Sequence, residues 1–281
     1  MKKYLAVFAA TAAALATNFA VHHATAAVDA APLANPSRPV AAPETAAAPS
    51  TLARRPIAAR APKRANFERE PASRDARYLA SWVVDAGDSK RMPFVIVDKN
   101  DAKVFVFDAD GHLRGASAAL LGLARGDGSV PGIGGRALSD IRPEERTTPA
   151  GRFVAELGHN LRRQTNLWVN YDEGFALHPL RRVSPEERRP ERLATPTPLD
   201  NRISLGCVIV PVKFFENVVR PAFARTKGIV YVLPETKLPS EVFVSYDVEE
   251  RALRQSAGRY PAEDKAAAIT TDAALKQAGT L

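Results

Sequence analysis

The sequence contains one cysteine among its 281 residues, Cys207, so a disulfide within the chain is excluded. Beyond its first 26 residues it has no apolar stretch long enough to cross a bilayer. The histidines outside those residues are scattered and show no metal-ligand spacing with the cysteine, so we expect no metal and no cofactor. No dense basic stretch with interleaved aromatic residues is present, which argues against nucleic acid as a partner.

Residues 1–26 are predicted to be a secretory signal peptide that is cleaved. Lys2 and Lys3 form a basic start, residues 4–21 are mostly apolar, and the Ala-Thr-Ala of residues 24–26 matches a cleavage site. An uncleaved membrane anchor is the alternative. Cleavage predicts a protein of the periplasm or cell envelope, with no membrane span in its mature form.

The rest of the chain is predicted to form one domain between two simpler segments. Residues 27–75 are rich in Ala and Pro and resemble a disordered linker, because such a composition buries too little apolar surface to offset its ordering entropy. Residues 76–238 form the predicted domain. Residues 239–281, with one short strand-like piece at 242–244, form a C-terminal tail that is predicted to pack weakly or not at all. The formal net charge is +8, and much of it lies in the signal and the linker, so the domain is only mildly basic.

The apolar pattern of the domain predicts a mainly β fold with one or two short helices. Apolar runs are separated by turn clusters such as the Asp-Lys-Asn-Asp of residues 98–101. A Gly-rich loop at 126–135 and a polar, proline-containing insertion at 180–201 interrupt the strands, and the insertion is predicted to be a lid. The predicted strands cover 94–97, 103–107, 166–171, 174–178 and 228–233, and residues 146–154 form a tight turn into a further strand. Residues 113–123 are predicted to be a strand, with a helix as the alternative because of their Ala content.

Cys207 lies in the short Ser-Leu-Gly-Cys segment of residues 204–207, which runs into apolar residues and then a predicted helix at 213–219. A thiol near a helix N-terminus is favoured as the thiolate. Gly206 allows backbone N–H groups to approach a ligand closely. A lone cysteine in an exported chain indicates a reactive thiol or an intermolecular bond, and a buried structural thiol fits the same features.

A cysteine nucleophile requires a base, and histidine is the usual one. His178 ends an apolar strand and enters an irregular loop, where a scaffold presents catalytic side chains. His112 lies in a turn and His159 in a polar loop, where solvated histidines are common. We therefore expect His178 to pair with Cys207 as imidazolium and thiolate, although a structural histidine also fits this position.

Three motifs follow one another in the order found in a known family. They are Thr-Pro-Ala-Gly-Arg-Phe at 148–153, Ala-Leu-His at 176–178 and Ser-Leu-Gly-Cys at 204–207, and a β-strand closes the series. Over residues 93–234 the chain resembles the L,D-transpeptidase (YkuD-type) catalytic domain. The resemblance implies a mostly antiparallel β-sandwich with the cysteine in a cleft. It also implies cleavage before the terminal D-amino acid of a peptidoglycan stem peptide, with transfer of the acyl group to an amine.

The resemblance implies roles for individual residues. Cys207 matches the nucleophile that is acylated, and His178 matches the proton acceptor and donor. The carbonyl of Pro179 matches the group that orients the histidine ring. The N–H groups of Gly206 and Cys207 match the oxyanion donors, and Ser204, in the same motif, is grouped with these orienting positions. Peptidoglycan stem peptides are the expected partner, and the oligomeric state is left open.

Two positions depart from the family pattern. Leu205 stands where a second histidine is common, and Ile209 stands where an arginine or asparagine is usual. The separation of His178 from Cys207 also exceeds the usual span, which is consistent with an inserted lid. Three functions stay open: a transpeptidase, an L,D-carboxypeptidase-type hydrolase in which water replaces the amine, and a non-catalytic cell-wall-binding module.

Overall fold

The computed structural model describes residues 60–181 and 184–257. The predicted signal peptide, the predicted linker as far as residue 59, and residues 258–281 of the predicted tail lie outside the described residues. No helix within the described ranges is both long enough and apolar enough to span a membrane.

The described residues are built around a β-sheet that short helices flank, which confirms the predicted fold class. Eight strands form one sheet in the order β3-β2-β1-β10-β5-β6-β7-β9, and β4 pairs with β8. The strands are β1 (Phe94–Asp98), β2 (Lys103–Phe107), β3 (Leu113–Ala118), β4 (Leu121–Gly122), β5 (Gly151–His159), β6 (Thr165–Asn170), β7 (Phe175–Pro179), β8 (Arg202–Ser204), β9 (Val208–Val210) and β10 (Gly228–Val232).

Pairing in the large sheet is mostly antiparallel. The exceptions are β1 with β10 and β7 with β9, which are parallel pairs, so the sheet is mixed. Parallel neighbours need a crossover connection. The 180–201 insertion with β8 connects β7 to β9, whereas the connection from β1 to β10 comprises all the elements from β2 to the helical segment after β9.

Two apolar clusters cover the two faces of β1. Side chains alternate along a strand, so Val95 and Val97 point to one face and Phe94 and Ile96 to the other, and all four are fully buried. The cluster around Val95 also receives side chains from β6, β7 and β9, which lie at the far end of the strand order. The sheet therefore curves around this cluster, and its two ends form opposing layers.

The helical segment after β9 packs on this interior cluster through Phe215, Val219 and Phe223. It consists of α3 (Val212–Phe214), a π-helical turn (Phe215–Val219) and α4 (Arg220–Phe223). Pro221 lacks an N–H and its ring crowds the carbonyl one turn earlier, so a widened turn ahead of it accommodates the proline without ending the helix.

The folded unit begins before residue 76, where the domain was predicted to begin. Helix α1 (Arg74–Ala86) starts at the N-cap Ser73, whose side chain accepts from Ala76 N–H. Ahead of it, Phe67 is only 3% exposed and packs edge-on against Phe105 and Phe107, with ring centroids 5.3 and 5.0 Å away. The prediction of a linker here is wrong because it rested on the Ala/Pro-rich composition, whereas the packing of this segment depends on a single aromatic residue, Phe67.

Residues 239–257 of the predicted tail pack on the domain as well. They form α5 (Pro239–Val242) and α6 (Val248–Ala257), whereas residues 242–244 were predicted to be strand-like. Phe243 and Val248 are 4% exposed and belong to the same cluster as Phe67. Arg251 of α6 donates to Asp85 of α1 at 2.8 Å, so the two terminal helices close over one face of the sheet.

Candidate active site

A cleft of about 290 Å³ opens where β7, β9, the Gly-rich loop and the insertion meet. It contains both residues that the sequence singled out, Cys207 and His178. The residues that line it are Ser129, Ile133, Gly134, Arg136, Leu138, Ile141, Glu145, Thr147, Pro149, Glu173, Gly174, Phe175, His178, Arg189, Ser204, Leu205, Gly206, Cys207 and Ile209. His112 and His159 are not among them.

The register of β7 and β9 brings Cys207 and His178 to the same face of the sheet. Leu177 pairs with Val208 and His178 pairs with Ile209. Leu177 and Val208 are fully buried in the interior cluster, so their sequence neighbours point the other way, toward the cleft. Cys207 immediately precedes β9, and its thiol and the imidazole therefore project from adjacent strands into one space.

Cys207 lies at the start of a strand and not at the start of a helix. Strand β9 follows it, and helix α3 begins only at Val212 after the N-cap Pro211. The prediction that a helix macrodipole favours the thiolate of Cys207 is therefore wrong, since the effect of the dipole falls off within the first turn of a helix. The prediction failed because three consecutive apolar residues, 208–210, are compatible with either a buried strand or the start of a helix.

The ring of His178 is oriented by the carbonyl that follows it. Nδ1 lies 2.9 Å from the Pro179 carbonyl oxygen, so Nδ1 carries the proton and Nε2 is left as the acceptor. Burial lowers the pKa of His178 to about 4; the hydrogen bond to Pro179 opposes this shift, and the guanidinium groups of Arg181 and Arg189 add to it. The imidazole is therefore neutral at neutral pH.

The thiol of Cys207 is neutral as well. Burial raises its pKa, and a hydrogen bond from the Ala176 N–H and the charge of Arg181 only partly oppose that shift. Sγ lies 3.5 Å from the Gly174 carbonyl oxygen, which accepts the thiol proton. A resting thiolate–imidazolium pair was predicted from sequence; burial of both groups disfavours the two charged forms, and the resting pair is thiol and imidazole.

Hydrogen bonds fix the loop around Cys207. The Gly206 N–H donates to Ser204 Oγ at 3.0 Å, and Ser204 Oγ donates to the Cys207 carbonyl oxygen at 2.7 Å. Gly206 has φ +132°, and a Cβ there would lie 2.7 Å from the Thr147 carbonyl oxygen, so only glycine fits. Since Gly206 N–H is engaged, the Cys207 N–H, which donates to no group in the described ranges, is the loop amide that can face a ligand.

The insertion contributes a charged group to the cleft. It contains a short helix, α2 (Arg189–Ala194), and Arg189 lines the cleft with its Nε 2.7 Å from Glu187 Oε2. Arg192 anchors the segment by donating to the carbonyl oxygens of Glu187 at 2.8 Å and Asp200 at 2.6 Å. The sequence indicated the insertion but did not single out Arg189, because arginines are frequent throughout it.

The two departures from the family pattern make part of the cleft apolar. Leu205 and Ile209 both line it, and Ile209 is 2% exposed. On the opposite wall, Arg136 donates to Glu145 at 3.0 Å. This pair lies in a region of short turns and has no recognisable pattern in the sequence.

Comparisons with known proteins return similar solved structures only; no protein-family model and no curated protein matches the chain. An L,D-transpeptidase from Xylanimonas cellulosilytica is 14% identical over 50% of this chain and 60% of that one, with a TM-score of 0.32. The helical cell shape determining protein Pgp2 from Campylobacter jejuni is 17% identical over 56% of this chain and 55% of that one, with a TM-score of 0.35. An L,D-transpeptidase from Mycobacterium tuberculosis is 14% identical over 50% and 57%, with a TM-score of 0.31.

The chain thus spans little more than half the length of these structures. Identities and TM-scores at this level do not assign an activity.

Proposed function

We propose that the protein is an exported cysteine acyltransferase of the L,D-transpeptidase type that acts on peptidoglycan stem peptides. Cys207 is the nucleophile and His178 is the general base and acid. The observation that carries the proposal is the parallel register of β7 and β9, which directs both side chains into one cleft. The motifs at 148–153, 176–178 and 204–207, which resemble those of the family, supply the substrate class.

The neutral pair suits a mechanism in which the proton moves during attack. His178 Nε2 takes the thiol proton while Cys207 Sγ bonds to the carbonyl carbon that precedes the terminal D-amino acid. The carbonyl π electrons move to oxygen, and the resulting oxyanion faces the Cys207 N–H. Preorganised donors of this kind contribute about 2.7–4 kcal/mol to catalysis. The intermediate collapses to a thioester as the C–N bond breaks and His178 protonates the departing amine.

The second half of the reaction reverses these roles. An acceptor amine attacks the thioester carbonyl carbon while His178 accepts the proton that the amine loses. The C–S bond then breaks, the new amide is released, and the sulfur recovers its proton from His178. Each proton that leaves a nucleophile is returned to a leaving group, so the cycle requires no cofactor and no metal.

Intact-mass spectrometry after incubation with a carbapenem, an acylating β-lactam, tests the proposal. We expect one adduct on the wild-type chain, none on Cys207→Ala, and strongly slowed formation on His178→Ala. His112→Ala should behave as the wild type, since His112 is a surface residue with Nδ1 3.6 Å from Asp108.

Incubation with a stem peptide, with and without an added amine, then identifies the acceptor. A new amide indicates transpeptidation, and simple loss of the terminal residue indicates hydrolysis. The enzyme proposal is wrong if the folded chain forms no adduct and its thiol reacts only after unfolding, a result that favours the wall-binding module.

A further inference from the structure

Thr148 is a fully buried residue whose hydroxyl joins the segment before β5 to the loop that carries Cys207. Its Oγ1 accepts from the Gly122 N–H at 2.8 Å and donates to the Gly206 carbonyl oxygen at 2.8 Å. The hydroxyl has a single proton. Because Oγ1 accepts from the Gly122 N–H, that proton is donated to the Gly206 carbonyl oxygen. The Thr148 carbonyl oxygen is itself held by Lys99 Nζ at 2.9 Å.

The bond to Gly206 acts on the amide of Cys207. The Gly206 C=O and the Cys207 N–H belong to one peptide unit, which is planar and trans, so the two groups point in opposite directions. Holding the carbonyl oxygen against Thr148 therefore fixes the direction of the N–H. A hydrogen bond at the carbonyl also polarises the peptide and strengthens the N–H as a donor.

Within the part of the chain that the structure describes, the other hydrogen bonds of the loop do not involve the Gly206 carbonyl or the Cys207 N–H. Ser204 binds the preceding N–H, of Gly206, and the following carbonyl, of Cys207. The close approach of Gly206 to the Thr147 carbonyl sets the position of the loop but makes no hydrogen bond to the Gly206 carbonyl. Thr148 is thus the side chain in the described ranges that bonds to the Gly206 carbonyl.

We infer that Thr148 is a positioning residue for acyl transfer: it orients the Gly206–Cys207 peptide so that the Cys207 N–H serves as the oxyanion donor. The inference rests on the proposed function, because an oxyanion arises only if Cys207 is acylated. Thr148 itself touches no reacting atom.

Two reactions of the same thiol separate this role from a structural one. Acylation by a carbapenem passes through an oxyanion, whereas alkylation by iodoacetamide displaces iodide at a saturated carbon and forms none. Thr148→Val keeps the shape and removes the hydroxyl. We expect it to slow acylation about 10- to 100-fold, somewhat less than the loss of a whole oxyanion donor, and to leave alkylation within about twofold of wild type. Thr148→Ser keeps the hydroxyl and should therefore be acylated at close to the wild-type rate.

Thr226→Val is the matched control, because Thr226 Oγ1 also donates to a carbonyl oxygen, that of Lys227 at 2.8 Å, but is exposed. If Thr148→Val does not fold, Thr148→Ala, which also removes the hydroxyl and adds no second thiol, takes its place and should be slowed in acylation alone. Equal slowing of both reactions, or unchanged acylation, overturns the inference while wild-type acylation still supports the proposed function. A wild-type chain that is alkylated but never acylated overturns the proposed function and the inference together.

Discussion

Lys99 and Asp127 form a buried ion pair, with Lys99 Nζ 2.8 Å from Asp127 Oδ1 and the lysine side chain fully enclosed. The ammonium group also donates to the carbonyl oxygens of Gly126 at 2.6 Å and Thr148 at 2.9 Å. Its three protons thus each have an acceptor, which offsets much of the cost of removing the charge from water. The pair ties the Gly-rich loop to the segment that contacts the cysteine loop.

Replacing Lys99 by methionine should lower the free energy of unfolding by about 3–5 kcal/mol, because it leaves the carboxylate of Asp127 buried without its cation. Lys103→Met is the control, since Lys103 pairs with Glu70 at 2.6 Å near the surface and such pairs contribute about 0–1 kcal/mol. Urea denaturation of both variants measures the difference. Similar decreases in the free energy of unfolding for the two variants would show that the buried pair contributes no more to stability than the surface pair.

The rate of acylation should fall only at strongly acidic pH. His178 accepts a proton only when it is neutral, and burial lowers its pKa to about 4. Activity that depends on this base is therefore retained as pH decreases through 6 and 5, and is lost as pH falls through about 4. Acylation rates over this range, with circular dichroism to verify folding at each pH, test the prediction. A loss centred near 6.5 would show that the imidazole is solvated.

Arg189→Gln should move that acidic limb to higher pH. The guanidinium of Arg189 disfavours the protonated imidazole, so its removal raises the pKa of His178. Arg225→Gln, on an exposed arginine after α4, removes a charge far from the cleft and should leave the limb in place. The pH profiles of acylation for the two variants are the measurement, and an unshifted profile for Arg189→Gln would contradict the placement of this residue.

Stability should decrease on acidification in the window set by the same histidine. Its pKa is about 4 in the folded chain and near 6.5 when unfolded, so between these values the unfolded state binds more protons. The free energy of unfolding therefore rises with pH across this window, by at most about 3 kcal/mol, and is fully regained above 6.5. In His178→Gln this part of the pH dependence should vanish. Denaturation curves at pH 4.5 and 7.5 for both proteins check it.

Phe67→Ala should destabilise the domain by about 3–5 kcal/mol, as expected for a truncated core aromatic. Leu161→Ala, on a side chain that is fully exposed, should change stability by less than about 0.5 kcal/mol. Thermal or urea unfolding of residues 60–281 distinguishes the two. An equal, small effect would mean that residues 60–73 do not contribute to the core.

The sequence was informative where pattern and local chemistry agree. The hairpin of β1 and β2 follows from two apolar runs around a turn cluster. Cys207 was selected because it is the one cysteine of the sequence, and His178 because it ends an apolar strand. Phe67 could not be recognised, because a single aromatic residue in an Ala/Pro-rich stretch has no periodicity to reveal a partner.

Lys99 and Thr148 were missed for a different reason. Lys99 lies in a polar turn cluster that predicts solvent exposure, yet the side chain turns inward to acceptors supplied by residues 126, 127 and 148. The charge states of Cys207 and His178 likewise depend on burial, which is set by the packing of distant segments. Such long-range effects are properties of the tertiary structure and leave no local pattern.

The way residues 63–67 attach to the domain determines how a mechanical load on the N-terminal side would be distributed. Asn66 pairs through its backbone with Gly111 and Leu113 at 2.8 and 2.9 Å, and Lys63 N–H donates to Asp85 at 3.0 Å. These bonds attach residues 63–66 to α1 and to the start of β3, and none of the residues involved lines the cleft. Tension applied from residue 60 is therefore borne first by contacts outside the cleft, and in single-molecule pulling residues 63–67 should detach before the strands beside the cleft are strained.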